Sequence, residues 1–193
     1  MSEKSNQKKQ YIVEKAKKVF CERGFKDVTM KDIVESCEIS RGGLYLYFKD
    51  TREVFEAVLA AEEADAMEVL KNKNQESPAD VLLSFLELKK AEILKKKDNL
   101  SVAVFEYQFA QRAAKKEASI KKQYQEQVKA LENLIQEGMK KKWMVCDNAQ
   151  AAARNIVYAM EGLRVNACIC GVQADVVDQE INCLMGSVGL EVK

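Results

Sequence analysis

Apolar residues recur along this chain at spacings of three and four, with charged residues filling the positions between them. Ile12, Ala16, Val19 and Phe20 fall at i, i+4, i+7 and i+8, so one helical face needs a partner surface. Gly24 suits a left-handed cap that stops this helix at Arg23, and Phe25 can fold back onto the last turn. A later stripe of Val54, Phe55, Val58, Leu59, Ala66, Val69 and Leu70 predicts one long helix from Asp50 towards residue 73, with Asp50 and Glu53 as its capping pair. Ser77, Pro78 and Asp80 supply a cap, a first-turn proline and an acidic third residue. The helix they start runs through Val81, Leu82, Phe85, Leu86, Leu88 and Ile93 to the lysines at 95–97. Asp98 and Asn99 restart the chain into residues 100–111, which are apolar almost all round and predict a helix buried on several sides.

The C-terminal half continues in the same code. Residues 116–142 carry a seam of Ile120, Tyr124, Val128, Leu131, Leu134 and Ile135 in a charged background, the pattern of a long half-exposed helix. Asp147 or Asn148 caps the next helix, over 149–170. Its stripe of Ala152, Ile156, Met160, Leu163 and Ala167 is widened by Ala149, Ala153, Val157 and Gly162. Gly171 ends that helix, and Asp175 starts a last one with Val177, Ile181, Leu184 and Val188 in its seam. Two apolar faces need two partners. The pair 149–170 and 175–188 has more apolar width than one core uses, which points to a homodimer through these helices.

The densest signals lie between Thr29 and Phe48. Thr29 caps a helix whose fourth residue is Ile33, with Asp32 completing a capping box and Val28 stapling onto Ile33. Ser40 repeats the device with Ile39 before it and Leu44 at the matching position. Two short helices joined by a turn at Cys37, Glu38 and Ile39 make a helix-turn-helix. Its second helix carries Arg41, Gly42, Gly43, Tyr45 and Tyr47, and only Leu44 and Phe48 mark a buried i, i+4 pair. Paired glycines let the backbone approach a neighbouring surface and leave amide donors for an anion such as phosphate. Singly, Arg41 reads as a solvated charge, the glycines as loop and the tyrosines as packing. Behind two stapled caps, the set favours DNA recognition.

Composition narrows the picture. The net charge is only +1, yet residues 1–50 hold 11 Lys and Arg against 8 Asp and Glu, and the remainder 20 against 22, which favours an N-terminal nucleic-acid face. Six cysteines, a polar start and no apolar run of membrane-spanning length predict a cytoplasmic chain with no membrane contact and no disulfides. With no histidine, one proline and eight glycines, the chain lacks the commonest general base and metal ligand and has little material for a turn-rich β fold. Cys168 and Cys170 would point about 200° apart on a regular helix, so they cannot share a metal. All six cysteines read as small buried hydrophobes, and no catalytic residue, metal or cofactor is expected.

The run from Thr29 to Phe55, T-M-K-D-I-V-E-S-C-E-I-S-R-G-G-L-Y-L-Y-F-K-D-T-R-E-V-F, resembles the N-terminal signature of the tetracycline-repressor (TetR) family of transcriptional regulators. The resemblance implies an all-α chain of about nine helices. A three-helix helix-turn-helix DNA-binding domain over 1–50 would precede a larger effector-binding and dimerisation domain over 51–193, with helix 50–73 as shared connector. It also implies that Thr29, Ser40, Arg41, Gly42, Gly43, Tyr45, Leu46 and Tyr47 lie at positions brought to double-stranded operator DNA, the tyrosines touching phosphates. Two residues depart from the family pattern: Glu38 stands where glycine is common in the turn, and Thr51 where lysine is common. A non-glycine residue at positive φ costs about 1–2 kcal/mol, so the turn is expected to shift its geometry. The missing lysine removes a phosphate contact.

A small-molecule pocket is the family's usual C-terminal feature. Phe85, Phe105, Phe109, Trp143 and Tyr158 are lining material here, with Glu106 and Glu161 as carboxylates in otherwise apolar stretches. Such a cavity would suit a small apolar effector of cationic character. Plain core packing is the alternative for each. The reading is a repressor released from a pseudo-palindromic operator by an effector. Its alternatives are a cysteine-based redox-sensing regulator, through Cys168, Cys170 or Cys183, and a helical enzyme or carrier retaining a helix-turn-helix.

Overall fold

The computed structural model describes residues 3–71, 77–97, 99–116 and 118–191. Among them the secondary structure is all helical: α1 (Glu3–Arg23), α2 (Met30–Cys37), α3 (Arg41–Tyr45), α4 (Thr51–Lys71), α5 (Pro78–Leu94), α6 (Ser101–Ala113), α7 (Ala118–Lys140), α8 (Ala149–Ile169) and α9 (Ala174–Gly186). The expected break over 72–76 and Asp98 of the Asp98–Asn99 restart lie outside the described residues.

Local chemistry sets most of the helix ends. Ser77 Oγ accepts the Asp80 amide and Asn148 Oδ1 accepts the Ala151 amide, each satisfying an N–H that the first turn leaves unpaired. Asp50 accepts the Glu53 amide, while the Glu53 carboxylate accepts the amide of Lys49. Gly24 and Gly171 take φ of +79° and +75°, the left-handed geometry that ends α1 and α8. Helix α5 stops at Leu94, short of the lysines at 95–97.

The chain divides into two compact units, Met1–Ala64 with Lys96–Lys116 and Asp65–Lys95 with Glu117–Lys193. One boundary falls inside α4, and α6 belongs with the first unit. In that unit Ile12, Ala16 and Phe20 of α1, Ile33 and Cys37 of α2, Leu44, Phe48, and Val54, Phe55 and Val58 of α4 are buried. Phe25 turns back as the sequence suggests, its ring 6.4 Å from Phe20, 5.0 Å from Phe55 and 5.1 Å from Tyr107 of α6. Helix α6 is not buried on several sides. Ala103, Val104, Tyr107 and Gln111 form one buried stripe, and Phe109 on the other face is 72% exposed. An apolar residue follows the helix period like any other, and Phe109 falls on the face that α6 leaves open.

In the second unit, α5, α7, α8 and α9 enclose one core. Leu82, Phe85 and Leu86, Leu131 and Ile135, Ala153 and Ile156, and Val177 and Ile181 are almost wholly buried. The expected seams of α8 and α9 are therefore the faces that pack. The cysteines divide: Cys37 is buried and Cys21 and Cys146 half-buried, while Cys168, Cys170 and Cys183 are exposed, correcting their reading as buried hydrophobes. All three sit on the outer faces of α8 and α9 or just past the end of α8, away from the seams.

Candidate nucleic-acid interface

Helices α2 and α3 form a small, strongly capped unit. Asp32 Oδ2 accepts the backbone amide of Thr29 at 2.8 Å and its hydroxyl at 2.7 Å, and Thr29 Oγ1 in turn accepts the Asp32 amide at 3.4 Å. Arg23 donates to the other carboxylate oxygen at 2.6 Å. Hydrogen bonds from the Thr29 side chain, then its backbone, hold the Asp32 carboxyl below the ordinary range, with Arg23 adding to them. The charge also lies at the positive end of the α2 dipole.

The turn holds a non-glycine residue in the left-handed region. Glu38 adopts φ 53° and ψ 38°, and the amides of Glu38 and Ile39 return to Glu35 and Val34 carbonyls at 3.2 and 3.4 Å. The left-handed residue closes α2, and the chain accepts its steric cost. Tyr11 of α1 donates its hydroxyl to the Cys37 carbonyl at 3.3 Å, tying the end of α2 to α1.

Ser40 then caps α3 by accepting the Gly43 amide at 3.1 Å, so this amide is already engaged. A Cβ on Gly43 would lie 3.2 Å from Ser40 Oγ, whereas one on Gly42 would meet nothing within 4 Å. Gly43 is thus explained by its cap, and Gly42 leaves the backbone open on the outer side. Leu44 and Phe48 are buried at the spacing that fixes α3 against its neighbours. The remainder of the short helix faces outward: Ser40, Arg41, Gly42 and Tyr45 are exposed, Leu46 is 82% exposed and Tyr47 is half-buried. The Arg41 guanidinium stands 5.8 Å from the Tyr45 ring centre, a contact that orients it while leaving its donors outward. Thr29 is exposed at the adjoining start of α2. The eight residues singled out from the sequence therefore lie on or beside one exposed capped element.

One contributor was not foreseen. Glu106 of α6 accepts the amides of Phe25 and Lys26 at 2.7 and 3.1 Å, so a carboxylate 80 residues away holds the turn that leads into α2. Its neighbour Tyr107 donates to Glu56 of α4 at 2.7 Å. Glu106 is thereby engaged within the first unit, on backbone amides.

Of the other six pocket candidates, two belong to the first unit and four to the second. Phe105 is half-buried and Phe109 exposed in the first unit. In the second, Phe85 is core, Trp143 is 53% exposed, and Glu161 is paired with Arg164 at 2.6 Å. Tyr158 alone of the seven lines the groove between α7 and α8. Among the described residues no group of three His, Cys, Asp or Glu side chains is placed to hold a metal ion, and no helix is long and apolar enough to cross a membrane.

Comparison with known proteins agrees with this geometry. Residues 12–58 match the family model of bacterial regulatory proteins of the tetR family, and residues 81–178 match a tetracyclin repressor-like C-terminal domain. An uncharacterized HTH-type transcriptional regulator, YfiR of Bacillus subtilis (strain 168), is 33% identical over 130 residues, which span 66% of this chain and 63% of that relative. Among solved structures, the reduced form of E. coli NemR superposes with a TM-score of 0.77 at 13% identity, covering 95% of this chain and 98% of that one. The fatty acid degradation regulator FadR from Bacillus halodurans gives 0.76 at 16% identity, covering 95% and 97%. A TetR transcription regulator from Haloarcula marismortui ATCC 43049 gives 0.75 at 17%, again covering 95% and 97%.

Proposed function

The chain belongs to the tetR family of bacterial regulatory proteins, and we propose that it is a homodimeric, cytoplasmic repressor that reads a pseudo-palindromic operator through α3. The observation that carries this is the exposed, capped face of α3, backed by buried Leu44 and Phe48 and offering Arg41, Gly42, Tyr45, Leu46 and Tyr47. Arg41 would read a guanine edge in the major groove. Thr29, Ser40, Gly43 and the two tyrosines would position the phosphate backbone.

One helix-turn-helix reads few base pairs, so specificity calls for two copies, their reading helices spaced about 34–36 Å apart. The helices over 149–170 and 175–188 would form the dimer contact. Val165, Ile169 and Val176 support it, being apolar residues that stay exposed on α8 and α9 in the single chain. Residues 1–50 would act as the reading head and 51–193 as the effector-binding and dimerisation part, with α4 as the shared element. Effector binding would favour a dimer whose α3 helices miss successive major grooves.

Selection of random duplex DNA by the purified protein tests this reading. Enrichment of a two-fold symmetric site bound by one or two dimers is the expected result. No enrichment at low salt, with and without added cell extract, would overturn it.

The exposure of Cys168, Cys170 and Cys183 favours a second reading, in which oxidation at the α8–α9 face takes the place of an effector. Operator release by peroxide in the wild type but not in cysteine-to-serine variants would support it. Release that persists in those variants would remove it.

A further inference from the structure

The row of α7 side chains from Ile120 to Glu132 and the row Gln150, Arg154 and Tyr158 of α8 leave a groove of about 550 Å³ between them. That volume is of the size that takes a small organic molecule. Two of its lining side chains are aromatic: the rings of Tyr124 and Tyr158 stack 5.7 Å apart, inclined by 24°. Ile120 and Val128 add aliphatic walls.

Lys121, Lys129, Arg154 and the carboxylate of Glu132 line the groove. That carboxylate is already taken, accepting from Lys129 at 3.1 Å and from Gln136 at 3.1 Å. Arg154 is exposed and forms no ion pair or hydrogen bond among the described residues. A guanidinium presents a planar fork that matches a carboxylate bidentately, and it sits one helical turn before the ring of Tyr158. Burial, ahead of neighbouring Tyr158 and Glu161, pushes the Tyr124 phenol up to about 12, so it remains a hydrogen-bond donor through the neutral range.

We propose that the α7–α8 groove binds an aromatic carboxylate, its ring on Tyr158 and Tyr124 and its carboxylate on Arg154. This replaces the cationic preference expected from the sequence, because the carboxylates that suggested it are engaged elsewhere: Glu106 on backbone amides and Glu161 on Arg164. The inference deepens the reading above by naming the chemical class of the effector. The groove uses the N-terminal half of α8, and the exposed apolar residues Val165 and Ile169 lie further along the helix.

Calorimetric titration of the full chain, without DNA, tests it with 2-naphthoate as the probe and 2-naphthamide and 2-naphthyltrimethylammonium as comparisons. Naphthoate is expected to bind the wild type, and Arg154→Gln to weaken it about 10- to 100-fold, the range for losing a hydrogen bond to a charged group. Tyr158→Leu should weaken naphthoate and naphthamide alike, since it removes the ring from the groove. Arg154 and Tyr158 are both exposed, so neither variant should disturb the fold, and an unchanged unfolding midpoint verifies that. Absence of naphthoate binding at millimolar concentration overturns the proposal. Equal affinity in Arg154→Gln, or preference for the ammonium probe, overturns it as well. Because DNA takes no part, failure here leaves operator selection standing, and failure of that selection leaves this binding result standing.

Discussion

A Cβ built on Gly24 would lie 2.6 Å from a carboxylate oxygen of Glu106, so a larger side chain at position 24 would have to displace that carboxylate. The same oxygen takes the amides of Phe25 and Lys26, and Gly24 itself sits at φ +79°. Glycine here serves both the left-handed end of α1 and the close approach of α6.

Gly24→Ala is therefore expected to destabilise the protein by about 1–2 kcal/mol from backbone conformation alone, with displacement of the carboxylate adding to it. Glu106→Ala should cost about 1–3 kcal/mol, since two amides lose their acceptor. Urea unfolding midpoints measure both. A double variant that loses less than the sum of the two single ones would be the mark of a shared contact.

Glu38→Gly should have the opposite sign. It relieves the left-handed strain, offset by the greater entropy of an unfolded glycine, for a net gain of about 0.5–1 kcal/mol. Removing a negative charge beside α3 should also tighten operator binding, most clearly at low salt. Thermal unfolding and fluorescence anisotropy on the selected operator would register the two effects separately.

The capping box makes stability acid-sensitive. The folded pKa of Asp32 is depressed, so its contribution is present above the unfolded value near 3.8 and is lost as pH falls through the lower folded value. Asp32→Asn should melt below the wild type at neutral pH, and the gap should close as pH falls through the lowered folded value. A gap independent of pH would show that the charge is not what the cap uses.

Tyr107 provides the alkaline counterpart. Burial, and then its bond to Glu56, raise the phenol well above its ordinary range. A raised pKa stabilises the protonated form, so this contribution is intact below the unfolded value near 10 and is lost as pH climbs towards the folded one. Tyr107→Phe keeps the ring between Phe25 and Phe55 and drops only the hydroxyl. It should cost about 1–2 kcal/mol at neutral pH and lessen the loss of stability above pH 10, as unfolding midpoints across that range would record.

Arg41→Ala should weaken specific operator binding by about 1–3 kcal/mol and relax the sequence preference at one base pair. Tyr45→Phe and Tyr47→Phe should weaken binding to all sequences more evenly, as expected of phosphate contacts. Unchanged operator affinity in Arg41→Ala would remove its assignment to a base edge.

Helix boundaries and the reading head were legible in the amino-acid sequence because their causes are local. A cap reaches only three residues ahead, as Thr29 with Asp32, Ser40 with Gly43, Ser77 with Asp80 and Asn148 with Ala151 do. The core stripes were legible for a similar reason, since i, i+3 and i+4 positions share a helix face whatever the helix later meets. The sequence also placed the exposed residues of α3, backed by buried Leu44 and, just after the helix, Phe48.

Tertiary structure decided which partner each face and each charge would take. Glu106 and Glu161 look alike as acidic residues in apolar stretches, yet one closes a turn 80 residues away and the other pairs with Arg164 three residues on. Apolar composition likewise did not distinguish buried Phe85 from exposed Phe109 and Trp143, because burial depends on whether a neighbour arrives. The groove of Tyr124, Arg154 and Tyr158 belongs to this second class, since it exists only where α7 and α8 lie side by side. Bonds within one turn are set by the covalent chain, whereas contacts between distant elements form only when folding brings them into register.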